Sequence, residues 1–453
     1  MIFARKIKLI VTKEEAHALD GQSKMCNWLY NQLLEATQED YRNGNENKLL
    51  SGRNLRNQVP IMKKENPFLK TIYSSPLKNT AVRVKDSYKN FFNGSGHPNF
   101  RSWKKKWFSL LYEEPFKGYS LDKDKKTLRL SFGKDENNKQ IRLNLKMSEP
   151  LLYRDKKEVV SLRIVKEHNS YYAVFTLKRE AIQKVVDVNS WIAFDPNHKN
   201  LMVGVDNHGH SIEFARTTTM QYWDDKIDVL KSKRDKCKRK SVYVPTYEGR
   251  GYWQPSRQWT RYNDAIERAS VSMREQNKQE VFNLSNAIVS VYDYTLMGDY
   301  APSTDTAKYK NQHRPMLNQT YIGKIRTTMA WVAERSGKKF EKVDEYHTTK
   351  ECPFCGFMEP KDPSIRVYTC PECGTTYYRD IGSAINMAVK GNKLLRSGYS
   401  DWKVAQPEYT AHWDWRESKW IAVLVADESN ESDFSLGLRM RKKVRNIAQS
   451  CVY

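Results

Sequence analysis

The chain has 453 residues, which is too many for one ordinary domain and predicts about two to four. Its 77 lysines and arginines exceed its 53 aspartates and glutamates, which gives a formal net charge of +24. This excess is not typical of an enzyme of small metabolites, and it indicates a polyanionic partner, either nucleic acid or an anionic membrane surface. Since 39% of the residues are hydrophobic, the chain can bury a core.

The distribution of apolar residues and cysteines bears on the cellular compartment. No run of about 18 apolar residues occurs, which excludes a transmembrane helix and a membrane-spanning role. Residues Met1–Val11 alternate charged and apolar side chains, a pattern that lacks a signal-peptide core and predicts a strand. The seven cysteines do not resemble a secreted disulfide framework, because four of them form two Cys-x-x-Cys pairs. We therefore expect a cytoplasmic protein.

The first 180 residues divide into a helical part and a strand part. Apolar residues recur at three- and four-residue steps from about 13 to 92, which predicts helices, and the turn signal Asn93–Pro98 ends this block. Apolar and polar residues then alternate from about 108 to 178, which predicts short strands and a small antiparallel β-barrel.

From about residue 188 onward, predicted strands and helices alternate, which indicates an α/β fold. The last 60 or so residues show no clear pattern. The predicted elements are strands at 191–195 and 201–205, a charged helix with a basic run at 231–240, a helix at 262–290, a strand at 294–297, a helix at 318–336 and a strand at 340–343.

Basic residues cluster at Lys104–Lys106, between Trp103 and Trp107, and again in the run 231–240. In an average protein such clusters are solvated faces of helices or turns. Because the whole chain is strongly basic and aromatic residues are interleaved with the charges, contacts with nucleic-acid phosphates are the favoured interpretation.

The most specific motif is a pair of Cys-x-x-Cys knuckles, which consists of Cys352, Cys355, Cys370 and Cys373. Two such knuckles can direct four thiolates at one tetrahedral ion, and four sulfur ligands leave no position for a substrate. The motif therefore predicts a structural zinc ribbon. A pair of redox dithiols or an iron–sulfur site is the alternative.

Two carboxylates stand at the ends of predicted elements, Asp195 after an apolar strand and Asp380 at the start of a helix. Together with the cysteines they resemble the split RuvC-like nuclease of transposon-encoded TnpB proteins and their relatives, the compact type V CRISPR effectors and the eukaryotic Fanzor proteins. The resemblance covers residues 1 to about 392. The motifs that carry it are Phe194-Asp195-Pro196-Asn197, the two Cys-x-x-Cys pairs, Asp380-x-x-x-Ala384-x-Asn386 and, in the front half, Gly96-His97-Pro98-Asn99-Phe100-Arg101.

The resemblance implies an RNA-guided DNA endonuclease that binds a guide RNA and pairs it with a target DNA. An RNase H-like RuvC core would cleave the DNA with Mg²⁺ or Mn²⁺, which carboxylate oxygens select. It further implies a multidomain α/β protein with a β-barrel domain at 1–12 and 108–182, a helical recognition domain at 13–107, the RuvC-like domain at 188–345 and 380–392, the zinc ribbon at 346–379 and a C-terminal extension of unknown role at 393–453.

The third catalytic carboxylate departs from the common family pattern. The second RuvC motif usually ends its strand with Glu-Asp-Leu, whereas this chain has Gly298 at the position of the glutamate. Three interpretations follow: Glu345 supplies a relocated carboxylate, as in family lineages with a Glu-x-Tyr-Thr-Ser-Lys-x-Cys stretch; the nuclease is dead; or Asp299 substitutes. We favour Glu345, so the predicted metal-binding catalytic residues are Asp195, Glu345 and Asp380.

Two other functions remain open at this stage. A nuclease-dead, RNA-guided DNA binder would act as a repressor or a recruitment module, and Gly298 favours it. A zinc-stabilised RNA-binding protein without a DNA target would also account for the net charge and the zinc ribbon.

Overall fold

The structure is a computed structural model that describes residues 1–101, 107–180, 188–197, 199–245, 251–301, 320–362, 365–392, 402 and 404–425. The chain forms two compact units, Met1–Glu180 and Ala181–Tyr453. Across the described ranges, no helix is both long enough and apolar enough to cross a membrane. The basic cluster Lys104–Lys106, for which phosphate contacts are predicted, lies outside the described residues.

The helices of the first unit begin where the helical periodicity begins. Thr12 caps the first helix, since its Oγ1 accepts a hydrogen bond from Glu15 N at 3.2 Å and Glu15 Oε2 accepts one from Thr12 N at 2.7 Å. Apolar residues on one face are fully buried, as Leu29 and Val84 illustrate. The helices are α1 (Lys13–Ala36), α2 (Gln38–Arg42), α3 (Glu46–Leu49), α4 (Gly52–Glu65) and α5 (Ser74–Phe92).

The strands of the first unit form one antiparallel sheet of seven strands. The ring of Tyr112 in one end strand lies 6.1 Å from the ring of Tyr119 in the other, so the sheet curls until its ends meet through side chains. No ladder of backbone hydrogen bonds joins these two end strands within the part of the unit that is described. The strands are β1 (Ile2–Ile10), β2 (Ser109–Tyr112), β3 (Tyr119–Leu121), β4 (Thr127–Lys134), β5 (Gln140–Met147), β6 (Val159–Glu167) and β7 (Ser170–Lys178), in the spatial order β2-β6-β7-β1-β5-β4-β3.

The second unit contains a mixed sheet of seven strands. The strands are β8 (Trp191–Pro196), β9 (Met202–Asp206), β10 (Ser211–Phe214), β13 (Tyr294–Gly298), β14 (Lys339–Val343), β17 (Tyr409–Asp414) and β18 (Lys419–Leu424), in the spatial order β14-β13-β8-β9-β10-β17-β18. Strands β13 and β14 run parallel to β8, whereas β9 and β10 form antiparallel pairs beside it.

Helices cover both faces of this sheet. In β8, Ile192 and Phe194 pack with α7 (Arg257–Val291) and α8 (Ile322–Arg335) on one face, whereas Ala193 packs with α9 (Arg379–Asn392) on the other. Because side chains alternate along a strand, Asp195 points to the face that α9 covers. The burial pattern of β8 thus places the predicted catalytic aspartate opposite the helix that carries Asp380.

Helix α6 (Thr219–Lys236) packs against the first half of α7 through Ile227, Ile266 and Ala269. A 3-10 turn, Cys237–Lys240, follows α6 and carries the end of the basic run that the sequence singles out. A small two-stranded sheet made of β11 (Val242–Val244) and β12 (Tyr252–Gln254) stands between this turn and α7. Two further short strands, β15 (Val367–Thr369) and β16 (Thr376–Tyr378), pair with each other.

The stretch Tyr409–Leu424, where the sequence shows no clear pattern, extends the mixed sheet by two strands. Strand β17 pairs in parallel with β10, and β18 pairs antiparallel with β17. Their aromatic side chains attach them to the unit, since Trp420 lies 5.7 Å from Phe214 and its indole N–H donates to Glu280 O at 3.1 Å. Each of these strands is only six residues long, which leaves little sequence in which a periodic pattern could show.

Candidate active site and metal centre

Asp195 lies near the end of β8 and is 5% exposed. Burial raises its pKa well above the usual range, and the neighbouring carboxylates of Asp380 and Glu345 raise it further. The neighbouring Ser383 side chain opposes the rise in this pKa. The structure therefore brings all three predicted catalytic carboxylates close enough to interact, with Asp195 as the member that both others affect.

Glu345 lies two residues beyond the end of β14, and its carboxylate turns back over β13. Its Oε1 accepts a hydrogen bond from Tyr300 N at 2.8 Å, and its own N–H donates to Asp299 Oδ1 at 3.2 Å. The same Oε1 lies where a Cβ on Gly298 would have to be placed. Any side chain at position 298 would therefore collide with the Glu345 carboxylate, so the glycine leaves the room that this carboxylate fills.

Burial raises the pKa of Glu345 to about 7, with a smaller contribution from Asp299, while the Tyr300 N–H holds the increase down. Arg326 is close to both acids, and its Nη2 donates to Tyr300 O at 2.6 Å. Asp299 thus contacts the backbone of Glu345 and contributes to its electrostatic environment.

Asp380 lies in the first turn of α9 and is 2% exposed. Arg366 pairs with one of its oxygens, and Arg379 donates to the other from Nη2 at 3.0 Å and from Nε at 3.1 Å. Two guanidinium groups therefore orient this carboxylate and offset its charge. Nothing in the spacing of the sequence points to Arg366, which precedes the short strand β15.

A buried hydrogen-bond network connects the loop after Glu345 to α9. Thr348 Oγ1 donates to Glu345 O at 2.9 Å, and Ser383 Oγ donates to Thr348 Oγ1 at 3.2 Å. Asn386 Nδ2 donates to Thr348 O at 2.8 Å and to Glu351 O at 2.9 Å. No motif in the sequence singled out Ser383 or Thr348 as a site residue. The three-residue spacing of Asp380, Ser383 and Asn386, which places them along one helix face, is the signal that could have found Ser383.

The four predicted zinc ligands converge. Sγ of Cys352 lies 3.8 Å from Sγ of Cys373, and Sγ of Cys355 lies 3.6 Å from Sγ of Cys370. A tetrahedral zinc with Zn–S bonds of about 2.3 Å requires sulfur atoms about 3.8 Å apart, so the four thiols could hold one zinc ion. Gly356 and Gly374 follow the knuckles with φ of 80° and 69°, a conformation that glycine adopts without strain.

Among the described residues, these cysteines are the one set of three or more metal-binding side chains whose ligand atoms all lie within 4.8 Å of one another. The carboxylates of Asp195, Glu345 and Asp380 do not form such a set. They lie near one another, since Asp380 and Glu345 both raise the pKa of Asp195. A set of buried carboxylates that raise the pKa of Asp195 is also what a divalent cation would stabilise.

Comparisons with known proteins agree with the resemblance seen in the sequence. Residues 323–387 match the family model of the Cas12f1-like TNB domain, a stretch that contains Glu345, the four cysteines and Asp380. No curated protein matches the chain.

Solved structures extend the comparison to most of the chain. The structure of a Cas12f1–sgRNA–target DNA complex matches with a TM-score of 0.56 and 13% identity over 84% of this chain and 83% of that one. The mini-RNA-guided endonuclease CRISPR-Cas phi3 matches at a TM-score of 0.41 and 10% identity, over 86% and 92% of the two chains. The fold inference rests on the first match.

Replacing Cys352 or Cys370 by serine removes one of the four sulfur ligands. We predict that either variant loses bound zinc and melts at a lower temperature, because the ribbon lies between Glu345 and Asp380 and fixes both ends. Metal content by elemental analysis and a melting curve check this. A variant that binds as much zinc as the wild type, or melts at the same temperature, would contradict the assignment.

The burial of Glu345 predicts that the stability of the metal-free protein depends on pH. Its folded pKa of about 7 exceeds the unfolded value of about 4.3, so its contribution to stability is complete below pH 4.3 and is lost as the pH rises through 7. Between pH 5 and 8 the free energy of unfolding of the wild type should fall by a few kcal/mol more than that of the Glu345→Gln variant. Chemical denaturation at both pH values checks this, and equal losses in the two proteins would contradict it.

Together, the matched domain at residues 323–387 and the shared fold confirm the predicted resemblance to the compact type V CRISPR effectors and TnpB-like proteins.

Proposed function

We propose that this protein is an RNA-guided DNA endonuclease that hydrolyses phosphodiester bonds at Asp195, Glu345 and Asp380. The observation that carries the proposal is the position of the Glu345 carboxylate, which fills the side-chain room at Gly298 and raises the pKa of Asp195. A glutamate that enters from the next strand thus stands in for the one that the chain lacks at position 298.

The topology of the second unit supports this proposal. Strands β10, β9, β8, β13 and β14 are neighbours in that order, with the first three antiparallel and the last two parallel to β8. This is the strand arrangement of RNase H-type folds. Asp195 on the central strand β8 and Glu345 after β14 then lie at the ends of parallel strands, on the face that α9 covers.

The donor set fits a pair of divalent ions, and Mg²⁺ or Mn²⁺ suits its oxygen ligands. When bound, such ions would supply Lewis-acid stabilisation of the phosphodiester and an activated water. Asp195, Glu345 and Asp380 would hold these ions, and Asp195 is the carboxylate that both others affect. Tyr300 N–H and Asp299 orient Glu345, and the two arginines orient Asp380.

Charge and fold support the choice of nucleic-acid partners. The net charge of +24 suits a protein that holds a guide RNA and a target DNA, and the Cas12f1 structure of the same fold is a complex with both. Base pairing between guide and target would then select the sequence, while the protein reads duplex shape and backbone.

A nuclease-dead, guided DNA binder is the second candidate. It is favoured by the pairing of Asp380 with both Arg366 and Arg379, since two guanidinium groups occupy oxygens that metal ions would need. In that case Glu345 and Asp195 would be buried carboxylates without a catalytic role. Metal-dependent cleavage distinguishes the two candidates.

Alanine replacement of Asp195, Glu345 or Asp380 tests the proposal. Each variant should bind guide RNA and matched DNA as the wild type does but cleave about 1,000-fold more slowly or worse, because a lost ligand removes several kcal/mol of transition-state stabilisation. The measurements are a cleavage time course in Mg²⁺ and a binding titration with the same DNA.

Asp299→Ala is the matched control, because Asp299 contacts the Glu345 backbone but is not a proposed ligand. This variant should keep measurable cleavage at a reduced rate. Undiminished cleavage by Glu345→Ala, or no cleavage by the wild type in the presence of guide RNA and either metal, would contradict the proposal.

A further inference from the structure

The two-stranded sheet β11–β12 projects from the end of the α6–α7 helix pair. Among the residues that the structure describes, its strands pair only with each other, in the register Val242–Gln254, Tyr243–Trp253 and Val244–Tyr252. An isolated pair of strands is marginally stable in water, and this one buries no large side chain, since Val242, Tyr243 and Trp253 are all exposed. A bound partner that covers it would compensate for this lack of a core.

One face of the hairpin is an aromatic platform, which we define as Tyr243 and Trp253. The two residues lie directly opposite each other, and their rings meet edge to face with centroids 5.4 Å apart. Trp253 is 67% exposed and Tyr243 is 48% exposed. Gly251 accommodates the Tyr243 ring at a place where a Cβ would collide with it, so the ring has a defined position across the hairpin.

The charge around the platform is strongly positive. The described residues 231–245 and 251–262 contain nine lysines and arginines and one aspartate. The cations of the 3-10 turn before β11 are all exposed, and no ion pair to them occurs among the described residues; they are Lys238, Arg239 and Lys240. An apolar ring pair surrounded by unneutralised cations is complementary to a ligand that has both flat apolar faces and negative charge.

We infer that the hairpin is a binding site for single-stranded nucleic acid, in which bases stack on Trp253 and Tyr243 and the basic turn contacts phosphates. Single-stranded nucleic acid combines flat apolar faces with negative charge, because every base offers a π face and every nucleotide carries a phosphate. The inference adds a defined contact to the proposed function but does not depend on cleavage. The strand is either guide RNA or unpaired DNA, which share this chemistry.

Photo-crosslinking to the full-length chain tests the site locally, despite the basic surface elsewhere. The probes are 20-nucleotide strands with 5-iodouracil, one of DNA and one of RNA, and crosslinked peptides are identified by mass spectrometry. Crosslinks should map to the peptides that contain Tyr243 or Trp253. The probe that gives the higher yield identifies the strand.

Trp253→Ala should lower the yield at the hairpin by about 5- to 100-fold, the range expected for loss of one stacked base. Changing Lys238, Arg239 and Lys240 together to glutamine should lower it too and flatten its dependence on salt. Trp415→Ala is the matched control, since Trp415 is 44% exposed in the same unit and its loss should leave the yield unchanged.

The absence of crosslinks in these peptides with both probes would overturn the inference. So would a Trp253→Ala variant that keeps the wild-type yield. If Trp253→Ala instead converts a dimer to a monomer in sedimentation velocity and leaves crosslinking unchanged, the platform binds a second copy of the chain. None of these readouts requires nuclease activity, so they remain informative if the proposed cleavage fails.

Discussion

The space above Gly298 determines how the candidate active site is built. That position ends β13, directly beside Val343 of β14, and the room that a side chain would occupy there holds the Glu345 carboxylate. A glutamate at position 298 and one at 345 thus compete for one volume. The proposed relocation of the catalytic carboxylate to position 345 therefore requires a residue without a side chain at position 298, and on this proposal the glycine does not indicate a lost active site.

The rest of the site stabilises this arrangement against its electrostatic cost. Burial raises the pKa of Asp195 and the neighbouring carboxylates raise it further, so the backbone that carries these acids has to be held firmly. Asn386 and Ser383 on α9 bind the loop at Thr348, and the cysteine cluster spans the interval between that loop and α9. A metal bound by the cysteines and the geometry of the carboxylates would therefore be coupled, because Glu345 precedes the cysteine cluster in the chain and Asp380 follows it.

The sequence predicts what depends on local pattern and fails where tertiary contacts decide. Helical periodicity, alternation and the Cys-x-x-Cys spacing locate the main helices, the antiparallel sheet of the first unit and the four clustered cysteines. Neither the pairing of Arg366 with Asp380 nor the addition of β17 to the sheet leaves a local signal, because each depends on residues distant in sequence. The sequence predicts Glu345 as a site residue only through its motif. The overlap between its carboxylate and a side chain at position 298 is visible only in the structure.

The most direct measurement is a double-mutant cycle of Gly298→Ala and Glu345→Ala, followed by Mg²⁺-dependent cleavage and by unfolding free energy. Gly298→Ala should lower cleavage and stability in the wild type, because the methyl group displaces the Glu345 carboxylate. It should cost much less stability in the Glu345→Ala background, where that volume is empty, so the two changes should couple by about 1 kcal/mol or more. Additive effects on stability, together with undiminished cleavage by Gly298→Ala, would contradict the account.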